Sequence, residues 1–395
     1  MTSVSELHAD GGPEIDPERL FERVDGGESV SILDVRDPGE FDEWHIDGPS
    51  VDIVNVPGSE FEGGISAEMI ESLPDGDPLV VVCAKGISSA EIAAQLREQG
   101  VSARNLADGM EGWAGVYVAD EIERYDGAGT LYQYRRPSSG CLSYLLVAGD
   151  SAAVFDPLRA FVDRYREDAA DHGATLEYAF DTHIHADHFS GVRELVDDET
   201  VGILPRAAID RGVTYESSVD AIDDGASVSV GAATVTAIHT PGHTTGMTSY
   251  LVNDSVILTG DALFTESVAR PDLEAGADGA ADAARELYDS LREKILTLPD
   301  GVVVAGGHLS DAAVPSEDGT YTATIGELVE TMAVLSLDES AFVDRILEDM
   351  PPRPSNFESI IATNLGREDV DADEAFQMEL GPNNCATSTD ALRGD

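Results

Sequence analysis

Thr182-His183-Ile184-His185-Ala186-Asp187-His188 is the most informative stretch of this sequence. It holds three of the nine histidines, follows a strand-like run at 176–180 and precedes a helix-like run at 189–196. In an extended segment His183 and His185 point to the same side, while Asp187 and His188 lie where a helix begins. Neutral imidazoles and carboxylates at such spacing are usual donors for first-row metals. The stretch therefore predicts a metal site, in preference to a polar loop with solvated histidines.

Three further candidate ligands, His243, Asp261 and His308, each follow a strand-like run. Strands that end in donor residues can hold the ligands together at one edge of a sheet. This order of motifs resembles that of the metallo-β-lactamase superfold. The resemblance implies an αββα sandwich over residues 131–318, with a helical C-terminal extension packed on it over residues 319–395.

The N-terminal part, residues 13–122, carries a second set of motifs. Strand-like runs at 29–35 and 79–83 alternate with helix-like segments, which predicts an α/β domain with a parallel sheet. The motifs are LDVRDPGEF at 33–41 with WHIDG at 44–48, CAKGISS at 83–89, and DGMEGW at 108–113. They resemble the rhodanese family. A linker is expected over residues 121–130.

The resemblance to rhodaneses implies that Cys83 carries sulfane sulfur, in a loop whose backbone N–H groups cradle an anion at a helix N-terminus. The implied anion-binding positions are Lys85, Gly86, Ser88 and Ser89. Many rhodaneses have an arginine where this chain has Ser88, which disfavours thiosulfate as the donor and also disfavours phosphatase chemistry. Sulfur transfer between thiols is the better interpretation, and the alternative is that Cys83 is a small buried residue that closes a strand.

Within the superfold, residues 182–188, 261–264 and 268–272 resemble the persulfide dioxygenases. The resemblance implies one Fe(II) per chain, bound by His183, His243 and Asp261, with open positions for O₂ and a sulfur ligand. Around these ligands, water and the imidazoles would be oriented by four neighbours: His185, Asp187, His188 and His308. Arg270, held by Asp272, would bind an anionic substrate, unless the two form only a surface ion pair. The implied partners are a small-molecule thiol persulfide and O₂, and the implied products are sulfite and thiol.

Two other functions stay open. The first is a binuclear zinc thioester hydrolase of the hydroxyacylglutathione type. Its first zinc would be bound by His183, His185 and His243, its second by Asp187, His188 and His308, and Asp261 would bridge the two. The second is a non-catalytic redox or metal sensor. A sulfur-carrying domain in the same chain favours the dioxygenase, because thioester hydrolysis gives such a carrier no role.

Composition limits the classes of partner. The chain has 395 residues, 77 Asp plus Glu against 23 Lys plus Arg, and a formal net charge of −54. This balance predicts no binding to nucleic acid and suggests a salt-loving microbial source. The N-terminus lacks the features of a signal peptide and no apolar run reaches the ~18 residues of a membrane span, so we expect a cytoplasmic protein without membrane contact. The three cysteines are far apart, which predicts free thiols, and the oligomeric state stays open, including a homo-oligomer.

Overall fold

The computed structural model describes residues 12–309, 312–348, 350–382 and 385–387. Two compact units are present. The first contains the described residues up to Val116 together with 136–139 and 380–382, and the second contains 117–135, 140–379 and the described residues from 385 onward. The expectations for the first eleven residues and for the last eight lie outside the described residues.

The first unit is an α/β domain around one sheet. Its strands are β1 (Glu14–Ile15), β2 (Val30–Asp34), β3 (Val51–Asn55), β4 (Leu79–Val82) and β5 (Ala103–Leu106). Its helices are α1 (Pro17–Asp25), α2 (Pro38–Glu43), α3 (Ala67–Ser72), α4 (Ile87–Glu98) and α5 (Gly109–Ala114). The strand order is β1-β5-β4-β2-β3 and every pairing is parallel. The central strand β4 reads Leu-Val-Val-Val and is buried throughout, as expected for a parallel strand covered on both faces.

The second unit contains two sheets. The first has the strands β6 (Val118–Glu121), β7 (Thr130–Arg136), β8 (Cys141–Ala148), β9 (Ser151–Phe155), β10 (Thr175–Phe180), β11 (Val201–Pro205) and β12 (Val219–Ile222), in the order β12-β11-β10-β9-β8-β7-β6. The second has the strands β13 (Ser227–Val230), β14 (Ala233–His239), β15 (Thr248–Val252), β16 (Val256–Gly260), β17 (Val303–Gly306) and β18 (Thr322–Thr324), in sequence order.

Helices cover the outer faces of both sheets. They are α6 (Val162–Asp171), α7 (Val192–Leu195), α8 (Arg206–Ile209), α9 (Asp272–Glu293), α10 (Ile325–Thr331), α11 (Glu339–Glu348), α12 (Phe357–Asn364) and α13 (Ala372–Met378). Phe155, Phe180 and Tyr250 belong to the core between the sheets, while α9 and α11 bury Leu287 and Phe342 against the second sheet. Both the parallel α/β domain and the αββα sandwich with C-terminal helices are thus confirmed.

The boundaries of the domains differ from those expected. The linker predicted over residues 121–130 begins within β6, which pairs with β7 and so places Tyr117 to Arg135 in the second unit. The extension predicted from residue 319 still contributes β18, an edge strand of the second sheet. With these changes, the division into a rhodanese-like domain, a sandwich and a helical extension is kept as a proposal. Within the described residues, no helix has both the length and the apolar character needed to cross a membrane.

Candidate functional site

The candidate metal ligands lie at the ends of strands. His183 follows β10 of the first sheet, and His243, Asp261 and His308 follow β14, β16 and β17 of the second. All four are nearly inaccessible to solvent. Gly307 allows this close arrangement, because a Cβ at this position would lie 2.6 Å from Asp261 Oδ1. The strands therefore bring residues from 183 to 308 to one place.

One group of donors consists of His183, His243 and Asp261. One ligand atom from each lies within 4.8 Å of the other two. Asp261 Oδ2 is 3.4 Å from His243 Nε2 and 3.9 Å from His183 Nε2. The Nε2 atoms of both imidazoles and Oδ2 of the carboxylate are buried and have no hydrogen-bond partner among the described residues. Burying polar atoms without hydrogen-bond partners destabilises the fold unless a ligand binds them. The group therefore has the donors and the geometry of a metal site.

Neighbouring groups fix the two imidazoles in the form that binds a metal. Thr182 donates its hydroxyl proton to Asp156 (3.0 Å), so His183 Nδ1–H donates to Thr182 Oγ1 at 2.9 Å. His243 Nδ1–H donates to the carbonyl oxygen of Arg270 at 2.8 Å. In both rings the Nε2 lone pair therefore faces the donor group, as is usual for histidines that bind metals.

Electrostatics favour the same protonation states. Burial lowers the pKa of His183 well below its ordinary value and also lowers the pKa of His243. Burial alone would raise the pKa of Asp261, but His308 and His243 hold it below its ordinary value. Two neutral imidazoles and one carboxylate are the protonation states that a divalent metal requires.

His185 belongs to a different group of donors. Its Nε2 lies 3.1 Å from Asp156 Oδ1 and 3.5 Å from Asp181 Oδ1, and these three residues form a buried cluster of their own. Burial and His188 lower the pKa of His185, but the Asp156 carboxylate outweighs them, and the pKa rises to about 9. His185 Nδ1 is buried and has no hydrogen-bond partner among the described residues.

Asp187, His188 and His308 lie beside Asp261 and close to two cysteines. His308 Nε2 is 3.0 Å from Asp261 Oδ1 and 3.5 Å from Asp187 Oδ2. Cys141 Sγ donates to Asp187 Oδ2 at 3.3 Å, and Cys385 lies in a group with Asp187 and His308. From the sequence these cysteines are predicted only to be thiols outside disulfides, since nothing local indicates that residues 141 and 385 meet at the candidate metal ligands.

Arg270 and Asp272 form the fork-like pair expected from the sequence, with Arg270 Nε 2.7 Å from Asp272 Oδ1 and Nη2 3.2 Å from Oδ2. The guanidinium is 1% exposed and also donates to the carbonyl of Pro352 at 2.8 Å, so the pair is buried and does not lie on the surface. Substrate binding by this arginine stays a prediction, while its carbonyl has a direct part in orienting His243.

The C-terminal helices hold the loop that carries the histidine cluster. At the end of α12, Asn364 Nδ2 donates to the carbonyls of His185 (3.0 Å) and His188 (2.9 Å), and its Oδ1 accepts from Ser190 N at 3.0 Å. After α13, Glu379 accepts from the N–H of Phe189 at 2.5 Å. Neither contact is predicted from the sequence, because a single polar residue gives no signal of a partner some 180 positions away.

In the first unit, Cys83 directly follows β4 and precedes α4. Ser89 donates to Cys83 Sγ from its hydroxyl (3.0 Å) and from its backbone N–H (3.4 Å). Gly86 has φ 72°, a left-handed conformation that glycine adopts without strain. The predicted anion-binding residues separate into two sets, since Lys85 and Ser88 are exposed while Gly86 and Ser89 are buried. Lys85 is paired with Glu111 at 3.0 Å.

The loop favours the reactive form of Cys83. Burial alone would raise the pKa of the thiol. Hydrogen bonds from the Ser88 and Ser89 side chains and from the backbone N–H groups of Ser89 and Lys85 outweigh it, and the pKa falls below its ordinary value. A thiolate is the nucleophilic form of cysteine, so this loop favours the form of Cys83 that can attack sulfur.

Comparison with known proteins agrees with this architecture. Residues 137–308 match the metallo-beta-lactamase superfamily and residues 16–115 match the rhodanese-like domain. The mitochondrial persulfide dioxygenase ETHE1 of Bos taurus is 30% identical over 238 residues, which are 56% of this chain and 89% of that protein. The chain belongs to the metallo-beta-lactamase superfamily.

Other members of the superfamily show the same likeness. The ETHE1 protein of Homo sapiens is 28% identical over 253 residues, which cover 62% of this chain and 92% of the human protein. A crystal structure of ETHE1 from Myxococcus xanthus has 28% identity and a TM-score of 0.52, and covers 60% of this chain and 99% of its own. Together with the two family matches, these findings confirm the predicted resemblance to the metallo-β-lactamase superfold and to the rhodanese family.

Proposed function

We propose that the protein is an iron-dependent persulfide dioxygenase with a sulfurtransferase domain. It oxidises a low-molecular-weight thiol persulfide, RSSH + O₂ + H₂O → RSH + SO₃²⁻ + 2H⁺, and Cys83 carries sulfane sulfur in its first unit. The observation that carries the proposal is the buried group of His183, His243 and Asp261, whose ligand atoms converge and have no hydrogen-bond partner among the described residues. Two imidazoles and one carboxylate are the donors of non-haem Fe(II) oxygenases.

Each residue of the site has a defined task. An Fe(II) ion bound by the three donors would supply the activation of O₂. Thr182 and the Arg270 carbonyl keep His183 and His243 in the tautomer with a free Nε2. Asp187, His188 and His308 border the donors and are placed to orient water and the reacting sulfur. The buried position of all these groups excludes bulk water from a reactive site.

Two observations favour this reaction over a binuclear zinc thioester hydrolase. Relatives named persulfide dioxygenase match the chain at about 30% identity over most of their length. A rhodanese-like domain supports a substrate that contains sulfane sulfur.

Metal content and O₂ consumption test the dioxygenase. Anaerobically purified protein should contain about one iron per chain and should consume O₂ when a small persulfide is added. His183→Ala and Asp261→Ala should lose both properties, whereas His172→Ala, at an exposed position of the same unit, should keep them. Two tightly bound zinc ions, with fast hydrolysis of an acyl thioester and no O₂ uptake, would show that the hydrolase is the correct function.

The sulfur carrier has a separate test. After exposure to a polysulfide, mass spectrometry should show added sulfur on Cys83 and not on Cys141 or Cys385. Cys83→Ser should abolish sulfur transfer between thiols but leave oxidation of an added small persulfide nearly intact, because the proposed metal ligands are all in the second unit. Unchanged sulfur transfer in Cys83→Ser would rule out this carrier.

We also propose that the protein works in a reducing compartment, the cytoplasm, because its three cysteines, all described and buried, form no disulfide. Cell fractionation followed by detection of the protein tests this location. Recovery of the protein mainly from an oxidising compartment would contradict it.

A further inference from the structure

A row of hydrogen-bonded side chains lies behind Cys83. The Ser89 hydroxyl is 3.0 Å from Cys83 Sγ and 2.6 Å from Asn105 Oδ1, and Asn105 Nδ2 donates to Glu14 Oε1 at 3.1 Å. Ser89 is fully buried and Asn105 is 2% exposed, so water does not compete for these contacts. The row reaches the surface at Glu14, which is exposed.

The Ser89 hydroxyl has one proton but two acceptors within reach. While Cys83 is a thiol, its S–H can donate to Ser89 Oγ, and Ser89 then donates to Asn105 Oδ1. Once Cys83 is a thiolate, the sulfur and Asn105 Oδ1 both require the same proton. A hydrogen bond to an ionised group is the stronger of the two, but forming it leaves a buried amide oxygen without a donor.

Glu14 decides which end of the Asn105 amide faces Ser89. A carboxylate only accepts hydrogen bonds, so the NH₂ group of Asn105 must point to Glu14 and its oxygen to Ser89. The parallel pairing of β1 with β5 sets Glu14 directly beside Asn105 and keeps the two in contact. The amide is therefore held as an acceptor toward Ser89.

We propose that Asn105, held by Glu14, is a positioning residue that draws the hydroxyl proton of Ser89 away from Cys83 and so restrains formation of the thiolate. The inference rests on the proposed role of Cys83 as a sulfur carrier and adds a control to it. The thiolate becomes favoured when Ser89 turns its proton to the sulfur. The helix N-terminus and the backbone N–H of Ser89 already support that state.

The step under control is sulfur transfer. The thiolate of Cys83 attacks the outer sulfur of a persulfide RSSH, a new S–S bond forms at Cys83, the old S–S bond breaks and RS⁻ leaves. The proton released by the Cys83 thiol goes to solvent and then to RS⁻, so that Cys83–SH + RSSH gives Cys83–SSH + RSH.

Two ion pairs lie on the elements around Cys83. Lys85 of the loop is paired with Glu111 of α5, and Asp34 at the end of β2 is paired with Arg36 at 2.7 Å. The other charged residues on the loop's neighbouring elements are Asp108 before α5, Glu91, Arg97 and Glu98 on α4, Arg104 on β5 and Glu14 on β1. The largest influences on Cys83 are instead burial and hydrogen bonds.

Two substitutions in the same row should act in opposite directions. The rate of Cys83 alkylation by iodoacetamide is measured against pH, by mass spectrometry of the peptide that contains Cys83. Ser89→Ala removes the hydroxyl donor and should move the midpoint to higher pH. Asn105→Leu removes the competing acceptor and should move it to lower pH, with alkylation at low pH about tenfold faster, as expected for one hydrogen bond to a charged group.

A milder variant and a control complete the experiment. Glu14→Gln leaves the Asn105 amide free to turn and should also move the midpoint to lower pH, which keeps the test available if Asn105→Leu does not fold. Ser31 lies on β2 of the same sheet, is buried, and donates its hydroxyl to the backbone carbonyl of Asp75. Ser31→Ala should leave the pH dependence of Cys83 alkylation unchanged.

The proposal is overturned if Asn105→Leu, or Glu14→Gln in its place, leaves the midpoint where it is or moves it to higher pH. The alkylation assay needs no sulfur donor, so its result is independent of the proposed function. A wild-type protein that takes no sulfur onto Cys83 would contradict the carrier role alone.

Discussion

Thr182 shows how one side chain can fix the tautomer of a proposed metal ligand. Its hydroxyl joins the Asp156 carboxylate to His183 Nδ1. Thr182→Val keeps the shape but removes this link, so His183 loses its fixed tautomer and the metal affinity should fall about 10- to 100-fold. Titration of the metal-free protein with Fe(II) or Zn(II) against a competing chelator measures the change.

A matched control for Thr182→Val is Thr200→Val. Thr200 is equally buried in the same unit and donates its hydroxyl to the backbone carbonyl of Leu176 at 2.7 Å, without touching the donor groups. Thr200→Val should lower the free energy of unfolding without weakening metal binding. Equal metal affinity in both variants would contradict the role given to Thr182.

The lowered pKa of Cys83 gives a second prediction about single residues. Its thiolate should persist to lower pH than that of an ordinary cysteine, so the alkylation midpoint of the folded protein should lie below that of the unfolded chain. Ser88→Ala removes one of the hydrogen bonds that lower the pKa and should raise the midpoint. The same peptide alkylated in denaturant supplies the reference, and a folded midpoint at or above it would be inconsistent with this environment.

The sequence predicts the chemistry of these residues better than their surroundings. The donor types and their order are visible in 182–188 and at His243, Asp261 and His308, because each is tied to a short motif. Asn105 and Glu14 are not predicted, since their meeting depends on the pairing of two strands some 90 positions apart. Arg270 shows the same limit, because its carbonyl acts on His243 and a carbonyl carries no sequence signal.

At the scale of elements, α12 is the helix on which the histidine loop depends. Asn364 ties three backbone groups of that loop to the helix. Asn364→Ala leaves buried carbonyls without donors, at a cost of about 1–3 kcal/mol each, and should reduce both the metal content and the thermal midpoint. Metal analysis and thermal unfolding with and without added metal provide the measurement.

Two further substitutions make the α12 prediction specific. Asn364→Asp keeps an acceptor for Ser190 N but turns an oxygen toward the two carbonyls. It should therefore lower the metal content and the thermal midpoint at least as much as Asn364→Ala does. Glu358→Ala changes an exposed residue of the same helix and should leave the metal content unchanged. Full metal occupancy in both Asn364 variants would mean that α12 does not support the site.

Elements with a strong internal pattern are predicted well. The strand-like run 79–83 contains β4, and the helical extension predicted over residues 319–395 contains α12. The strands β6 and β18 are not predicted, because both lie at sheet edges and are short, and their conformation is set by partners distant in sequence. Local patterns therefore identify the interior of a sheet more reliably than its edges.

The whole molecule carries a net charge of −54, and this predicts a stability that rises with salt. The screening length falls from about 10 Å at 0.1 M salt to about 3 Å at 1 M, which weakens the repulsion among acidic side chains. The thermal midpoint should rise with KCl, by roughly 2–4 °C for each ~1 kcal/mol of repulsion removed. Sucrose at equal osmolarity serves as the control, and a midpoint that does not change in KCl would contradict the expected adaptation to salt.

The scarcity of lysine has a practical consequence for labelling. The chain contains only Lys85 and Lys294. Lys294 is partly buried and donates to the carbonyl of His239, whereas the Lys85 side chain is 64% exposed beside Glu111, two positions from Cys83. At a pH where exposed lysine amines react, an amine-reactive fluorophore should therefore label Lys85, in the Cys83 loop, in preference to Lys294. The sequence thus supplies an attachment point for an optical probe at this loop without engineering.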